Sequence, residues 1–124
     1  MVIDHVGLPV SDQARSERFY QALLTPLGIR HQRDSGGWTG FGRDGDKVPE
    51  FWIKRGEDFR PLHLAFLAQS REQVQQFHGA ALALGAVSVF APRLCDIYHP
   101  DFYAAMILDP DGHSIEAVCH GAGA

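Results

Sequence analysis

Four side chains of this 124-residue sequence have the types and spacing expected of a metal site. His5 and His63 each lie near the start of one half of the chain, and thirteen residues separate each of them from a phenylalanine. Glu50 and Glu116 each lie in the last predicted strand of a half. Neutral imidazoles and carboxylate oxygens are ligands that divalent first-row metals prefer, and three or four such ligands leave positions open for a substrate. The pattern therefore predicts a metal site with room for a chelating substrate.

Each of these residues also has an ordinary structural interpretation. A single histidine within a strand is more often a hydrogen-bonded structural residue, and Glu50 follows a proline at a strand start, where a solvated carboxylate is common. Glu116 is more informative, because a carboxylate at an inward position of a strand is costly without a partner. The equivalent positions of His5 and His63 in the two halves favour the metal interpretation.

The elements that would position these residues follow from hydrophobic periodicity. Residues 2–10 alternate as a strand, and Ser11 or Asp12 can cap a helix whose apolar positions continue to Leu27. The segment 29–54 is rich in glycine and aromatic residues, which predicts three short strands joined by turns. The first half is thus predicted to have the order βαβββ.

The second half repeats this order. Ser70 and Gln73 form a predicted capping box for a helix that ends at Gly85, and the strands are expected at residues 62–67, 87–91, 102–108 and 114–119. The residues Asp109–Gly112 predict a hairpin turn between the last two strands. We therefore expect one α+β domain of two tandem βαβββ modules, residues 1–57 and 58–124, which form a cupped mixed sheet flanked by helices.

Three motifs resemble the vicinal oxygen chelate superfamily, which includes glyoxalase I, bleomycin and fosfomycin resistance proteins and extradiol dioxygenases. They are Ile-Asp-His-Val-Gly-Leu-Pro-Val, Leu-His-Leu-Ala-Phe and a final Asp-Pro-Asp-Gly-His-Ser-Ile-Glu-Ala-Val. The resemblance implies that His5, His63 and Glu116 bind a divalent Zn, Ni, Mn, Co or Fe ion. It also implies that Glu50 lies where glyoxalase I has its fourth ligand, which doubles as the proton-transfer base.

Aromatic residues near this site are candidates for the substrate pocket. Trp52 shares a predicted strand face with Glu50 and would form an aromatic wall, although core packing explains it equally well. Tyr98 and Tyr103 precede the strand of Glu116 and would orient a substrate oxygen. His113, in the hairpin turn, is expected to be a solvated surface residue.

Three functions remain open at this point. A metal-dependent lyase or isomerase that acts on an aldehyde–thiol adduct, as lactoylglutathione lyase does, is favoured because both histidines and Glu116 are present. The alternative is a non-catalytic protein that binds a small molecule or antibiotic. An Fe(II) dioxygenase fits the short chain less well.

Composition and charge restrict the classes of partner that the protein can have. The net charge of −4 gives no electrostatic footprint for nucleic acid, and no apolar run approaches the roughly 20 residues needed to span a bilayer. The two cysteines are too few for a disulfide framework. We expect a cytoplasmic protein with a small-molecule substrate, and the resemblance implies a homodimer.

Overall fold

The computed structural model describes residues 3–121, and the chain divides into two compact units between Arg60 and Pro61. The first unit contains β1 (Val6–Val10), α1 (Gln13–Leu24), a short 3₁₀ helix (Thr25–Leu27), β2 (Ile29–Ser35), β3 (Trp38–Arg43) and β4 (Phe51–Arg55). The second contains β5 (His63–Leu67), α2 (Arg71–Ala83), β6 (Val87–Leu94), β7 (Tyr103–Leu108) and β8 (Ser114–Cys119). The prediction of an α+β fold with two tandem βαβββ modules is confirmed; we call the two units module one and module two.

Each module forms its own four-stranded mixed sheet. The strand orders are β1-β4-β3-β2 and β5-β8-β7-β6, so corresponding strands occupy corresponding places. The first and last strands of each module pair in parallel, and the other neighbours pair antiparallel. The first strand of each module therefore lies beside the last. In module two these strands carry His63 and Glu116, whereas in module one His5 and Glu50 each lie just before such a strand.

The helix of module one covers one face of its sheet. Asp12 caps α1, since its side chain accepts a hydrogen bond from the Arg15 N–H at 3.0 Å. Tyr20 is fully buried and its ring meets that of Phe51 at 5.0 Å. The large apolar residues from the middle of α1 to the end of the 3₁₀ helix are all buried, namely Phe19, Tyr20, Leu23, Leu24 and Leu27. Burial of each large apolar side chain stabilises the fold by about 1.5–3 kcal/mol.

The helix of module two is capped at both ends. The Ser70 hydroxyl accepts from the Gln73 N–H at 3.1 Å, as predicted, while the Gln73 side chain accepts from the Gln69 N–H rather than from that of Ser70. Gly85 has a φ of 78°, and the N–H of Gly85 and that of the next residue return to the last helical turn. Leu82, which lies 58 residues after the buried Leu24 and would correspond to it in a repeat aligned on His5 and His63, is 51% exposed.

In each module the sheet face opposite the helix is the more open one, and in module two it carries His63 and Glu116. In β1 the inward residues Leu8 and Val10 are fully buried, while Gly7, between Val6 and Leu8, is exposed.

Within residues 3–121, neither helix has the length and apolar character that a membrane span requires.

Candidate functional site

His63 and Glu116 form a close pair in module two. His63 Nε2 lies 3.3 Å from Glu116 Oε1, and the side chains are 52% and 10% exposed respectively. In the parallel pairing of β5 with β8, Ala65 lies opposite Glu116, so His63 is two positions before the residue that faces Glu116. Side chains two positions apart on a strand share a face, which brings both groups to the face opposite α2.

A serine fixes the orientation of His63. Ser114 lies opposite His63 in the pairing, and its hydroxyl oxygen is 2.9 Å from His63 Nδ1. Because Nδ1 is engaged by this hydroxyl, Nε2 is the nitrogen that faces Glu116. Such an outer partner of a ligand histidine sets both ring orientation and tautomer.

The Glu116 carboxylate lies in a poorly solvated environment. Burial raises the pKa of the Glu116 carboxyl above its ordinary value, and the nearby His63 opposes this rise by charge attraction and by a hydrogen bond. A second positive charge at this position would therefore stabilise the ionised carboxylate further.

The spacing of the pair suits two ligands of one metal ion. Two donors at about 2.0–2.2 Å from an ion lie about 2.8–3.6 Å from each other in octahedral or tetrahedral geometry. The observed separation of 3.3 Å between His63 Nε2 and Glu116 Oε1 falls in this range. Among residues 3–121, no group of three or more His, Cys, Asp or Glu side chains is assembled as a metal site. The pair thus fits a divalent ion as two of its ligands.

His113 supports this pair from inside the module. The prediction that His113 is a solvated surface residue is wrong, since its side chain is fully buried. Its Nδ1 accepts a hydrogen bond from the N–H of Leu62 at 2.8 Å, and the Ser114 N–H donates to the Leu62 carbonyl at 2.9 Å. The backbone immediately before His63 is therefore held to the start of β8 at both of its polar groups.

In module one, His5 lies just before β1 rather than within it. Its side chain is exposed, and its Nδ1 lies 2.7 Å from Asp4 Oδ1. Gly7 of β1 pairs with Trp52 of β4, as Ala65 pairs with Glu116 in module two. Trp52 therefore occupies the position in module one that Glu116 occupies in module two.

In the same register, Glu50 lies two positions before Trp52 and corresponds to Ser114 of module two. The side chain of Glu50 is 50% exposed, and its Oε1 lies 3.8 Å from Arg43 Nε. Its backbone is fixed, since the Val6 N–H donates to the Glu50 carbonyl at 2.9 Å. The structure thus brings Glu50 to Arg43, and among the described residues no contact joins its carboxylate to a histidine.

An open cleft of about 630 Å³ lies on this face of module one, and both tryptophans of the chain line it together with His5. A Cβ at Gly40 would lie 2.7 Å from the ring of Trp52, and one at Gly7 would lie 2.9 Å from that of Trp38. Each indole therefore packs directly against a glycine backbone, at a distance that a side chain at that position would not allow. Trp52 lines this cleft, and its contact with a substrate stays a prediction.

A smaller cleft of about 280 Å³ in module two contains Glu116 and Tyr98, two of the predicted site residues. Tyr103 is not brought to this cleft. Its ring lies under the guanidinium of Arg71 at 5.1 Å, and its hydroxyl accepts from Gln75 Nε2 at 3.1 Å. Both partners belong to α2, so Tyr103 faces the helix side of the sheet.

The sequence interpretation did not assign a role to Trp38 or to Ser114. Ser114 lies two residues before Glu116, and strand alternation alone places the two on one face. Trp38 and Gly40 are also two residues apart and therefore share a strand face. A tryptophan and a glycine on one face were the sequence signal for an indole that packs against exposed backbone.

Comparisons with known proteins agree with this architecture. Residues 1–118 match the family model described as a glyoxalase-like domain. A crystal structure of a glyoxalase/bleomycin resistance protein from Albidiferax ferrireducens shares 30% identity, with 96% of this chain and 99% of that chain covered and a TM-score of 0.81. The chain therefore belongs to the glyoxalase-like domain family, which is part of the vicinal oxygen chelate superfamily.

More distant structures share the fold. A fosfomycin resistance protein from Listeria monocytogenes is 20% identical, with 98% and 95% of the two chains covered and a TM-score of 0.71. Lactoylglutathione lyase from Agrobacterium tumefaciens is 17% identical, with 95% and 92% covered and a TM-score of 0.68. At these identities the likeness shows the fold alone. The search of curated proteins gave no significant match.

Proposed function

We propose that this chain is a divalent-metal-dependent enzyme that chelates two neighbouring oxygens of a small substrate, with a reaction of the lyase or isomerase type. The observation that carries the proposal is the 3.3 Å approach of His63 Nε2 to the buried Glu116 carboxylate. A bound ion would supply Lewis-acid stabilisation of negative charge that develops on a substrate oxygen. Zn, Ni, Mn, Co and Fe are all compatible with imidazole and carboxylate ligands.

We assign His5, His63 and Glu116 as the protein ligands. Ser114 holds His63 by its Nδ1, and Asp4 contacts Nδ1 of His5 in the same way, which leaves Nε2 of each ring for a metal bond. Burial of Glu116 without a metal is unfavourable for its charged form, so binding of a cation relieves a cost that the fold already carries.

We assign Glu50 as the group that moves a proton during the reaction. Its half-exposed side chain can exchange protons with solvent, and the guanidinium of Arg43 lies beside it. Trp52 and Tyr98 are proposed to contact the substrate, since each lines a cleft on the face opposite a helix.

A non-catalytic binding protein is the second candidate. The cleft of module one favours it, because two indoles and few polar groups form a surface suited to a planar apolar ligand. Ligand binding that persists without metal in the His63→Ala variant would support this function over the enzyme.

Metal binding tests the first candidate. Purified protein, stripped with a chelator, is titrated calorimetrically with Ni²⁺, Co²⁺, Mn²⁺ and Zn²⁺. We expect one ion per chain, with affinity reduced more than about 100-fold in His5→Ala, His63→Ala and Glu116→Gln, which exceeds the usual cost of losing an outer partner. His78→Ala is the matched control, because His78 also contacts a serine hydroxyl, that of Ser88 at 2.7 Å, but among the described residues it forms no ion pair with a carboxylate.

Stability gives the same experiment a second readout. Because burial disfavours ionised Glu116, we expect metal-free Glu116→Gln to be at least as stable as the wild type while it binds metal poorly. Absence of stoichiometric metal binding in the wild type, or unchanged affinity in His63→Ala, would refute the metal-dependent function.

We also propose a homodimer in the cytoplasm. Mixing His5→Ala chains with Glu116→Gln chains tests whether one site takes residues from two chains. Recovery of metal binding on mixing would support sites shared between subunits, whereas sites within one chain recover none. A monomeric mass in solution would refute the dimer.

A further inference from the structure

A row of three side chains crosses the sheet of module two on the Glu116 face. Glu116 of β8 pairs with Met106 of β7, and Met106 pairs in turn with Phe90 of β6. Directly paired residues share a face, and neighbouring strands lie about 4.8 Å apart, so Phe90 lies about 10 Å from Glu116. The floor between them is the apolar side chain of Met106.

A bulge in β6 adds Arg93 to this face. Phe90 pairs with Met106 and Arg93 pairs with Ala104, so three steps on β6 match two steps on β7. Without the extra residue, side chains three positions apart would point to opposite faces. With it, the guanidinium carbon of Arg93 lies 4.3 Å from the centre of the Phe90 ring, and both residues line the cleft that contains Glu116.

Among residues 3–121, no carboxylate oxygen lies within 4 Å of the Arg93 guanidinium, although Asp96 and Glu116 line the same cleft. Arg43, Arg55 and Arg71 each lie within 4 Å of a carboxylate oxygen, at 3.8, 3.3 and 3.9 Å. Stacking on Phe90 fixes the plane of the guanidinium and leaves its N–H groups for a ligand.

We propose that Arg93 binds an oxyanion of the substrate, so that substrates of this site carry a carboxylate, phosphonate or sulfate group that is separated from the metal-chelating oxygens by less than the roughly 10 Å between Phe90 and Glu116. The link between the two ends lies on Met106 and Phe90 and is therefore apolar. This inference rests on the proposed metal-dependent function, because Glu116 and His63 define the chelating end.

A pair of probes separates the two ends. 3-(3,4-Dihydroxyphenyl)propionate carries two neighbouring oxygens and a carboxylate at a suitable distance, and its methyl ester has the same oxygens without the charge. We expect Ni²⁺-loaded wild type to bind the acid roughly 10–100-fold more tightly than the ester, as charged hydrogen bonds provide. Arg93→Gln should abolish this preference and leave the affinity for the ester unchanged.

Arg18→Gln is the control for loss of one positive charge, since Arg18 is exposed on α1 of the other module. It should keep the wild-type preference, and Arg93→Lys should keep part of it. Equal affinity of the wild type for acid and ester, or an intact preference in Arg93→Gln, would overturn the proposal.

A metal-free measurement distinguishes failure of this inference from failure of the proposed function. In ¹⁵N-labelled protein without metal, 3-phenylpropionate should shift the Nε–H resonance of Arg93, and this shift is expected whether or not the protein binds Ni²⁺. Weak ester binding together with this shift would contradict the proposed metal site but not the anion site at Arg93. An unmoved Arg93 resonance would contradict the anion site but not the metal site.

Discussion

Replacement of His113 tests how the hairpin turn stabilises module two. The imidazole is fully buried, and its Nδ1 accepts the Leu62 N–H at 2.8 Å. His113→Leu keeps an apolar side chain of similar volume but removes the acceptor. An unsatisfied N–H costs about 1–3 kcal/mol, and an imperfect fit adds up to about 1.5 kcal/mol. We expect the free energy of unfolding to fall by about 2–3 kcal/mol.

His113→Asn is the companion variant, because its amide oxygen lies close to the position of Nδ1 and can accept the same N–H. The smaller side chain leaves a cavity, for which we expect a cost of about 1 kcal/mol. The His113→Asn variant should therefore be more stable than the His113→Leu variant, although asparagine is the more polar residue. Arg18→Leu at an exposed position of α1 should change stability by less than about 0.5 kcal/mol.

Urea denaturation followed by two signals measures these changes. Both tryptophans belong to module one, so their fluorescence reports that module, while far-ultraviolet circular dichroism reports both. A shift in dichroism without one in fluorescence would mean that the modules unfold separately. A Leu variant as stable as the wild type, or an Asn variant less stable than the Leu variant, would refute the hydrogen-bond argument.

Two other substitutions follow from the same geometry. Gly40→Ala places a methyl group 2.7 Å from the Trp52 ring and should destabilise the protein by about 1–3 kcal/mol in urea, whereas Gly79→Ala in α2, with open space around it, should stabilise it by about 0.5–1 kcal/mol. Equal effects of the two would contradict the close packing of indole on glycine. Ser114→Ala frees His63 Nδ1 and should weaken Ni²⁺ binding about 10–100-fold in calorimetry, and an unchanged affinity would show that the hydroxyl does not orient the ring.

The fold was predictable because local signals agree along each module. Apolar spacing located α1 and α2, and the residues Asp12 and Gly85 marked a helix start and a helix end as their chemistry requires. Leu82 shows where such reasoning stops. It continues the apolar pattern of α2, yet it is half exposed in this unit because tertiary packing, rather than spacing, decides which positions are covered.

The candidate site was predictable in module two and less so in module one. His63 and Glu116 are near each other as expected, because β5 and β8 are neighbours. Glu50 was matched to Glu116 by chain position, but residues 44–50 join β3 to β4 whereas residues 109–113 join β7 to β8. This difference of two residues gives Trp52 the place of Glu116, and only strand pairing reveals it.

His113 was misjudged for a different reason. Turn residues are usually solvated, and nothing in the local sequence shows that the backbone N–H of a residue 51 positions earlier needs an acceptor. The hydrogen bond to Leu62 depends on the parallel pairing of β5 with β8, which is a long-range contact.

The exchange of a carboxylate for an indole at one register position has a consequence for how such a duplicated protein diversifies. Module two keeps the buried Glu116 and the network around it, where most changes would be costly. Module one holds Trp52 over Gly40 at the matching position, beside an open cleft whose loop walls tolerate variation. A substitution at this register position would therefore act differently in the two modules, because in module two it removes a buried charge and in module one it reshapes an open cleft.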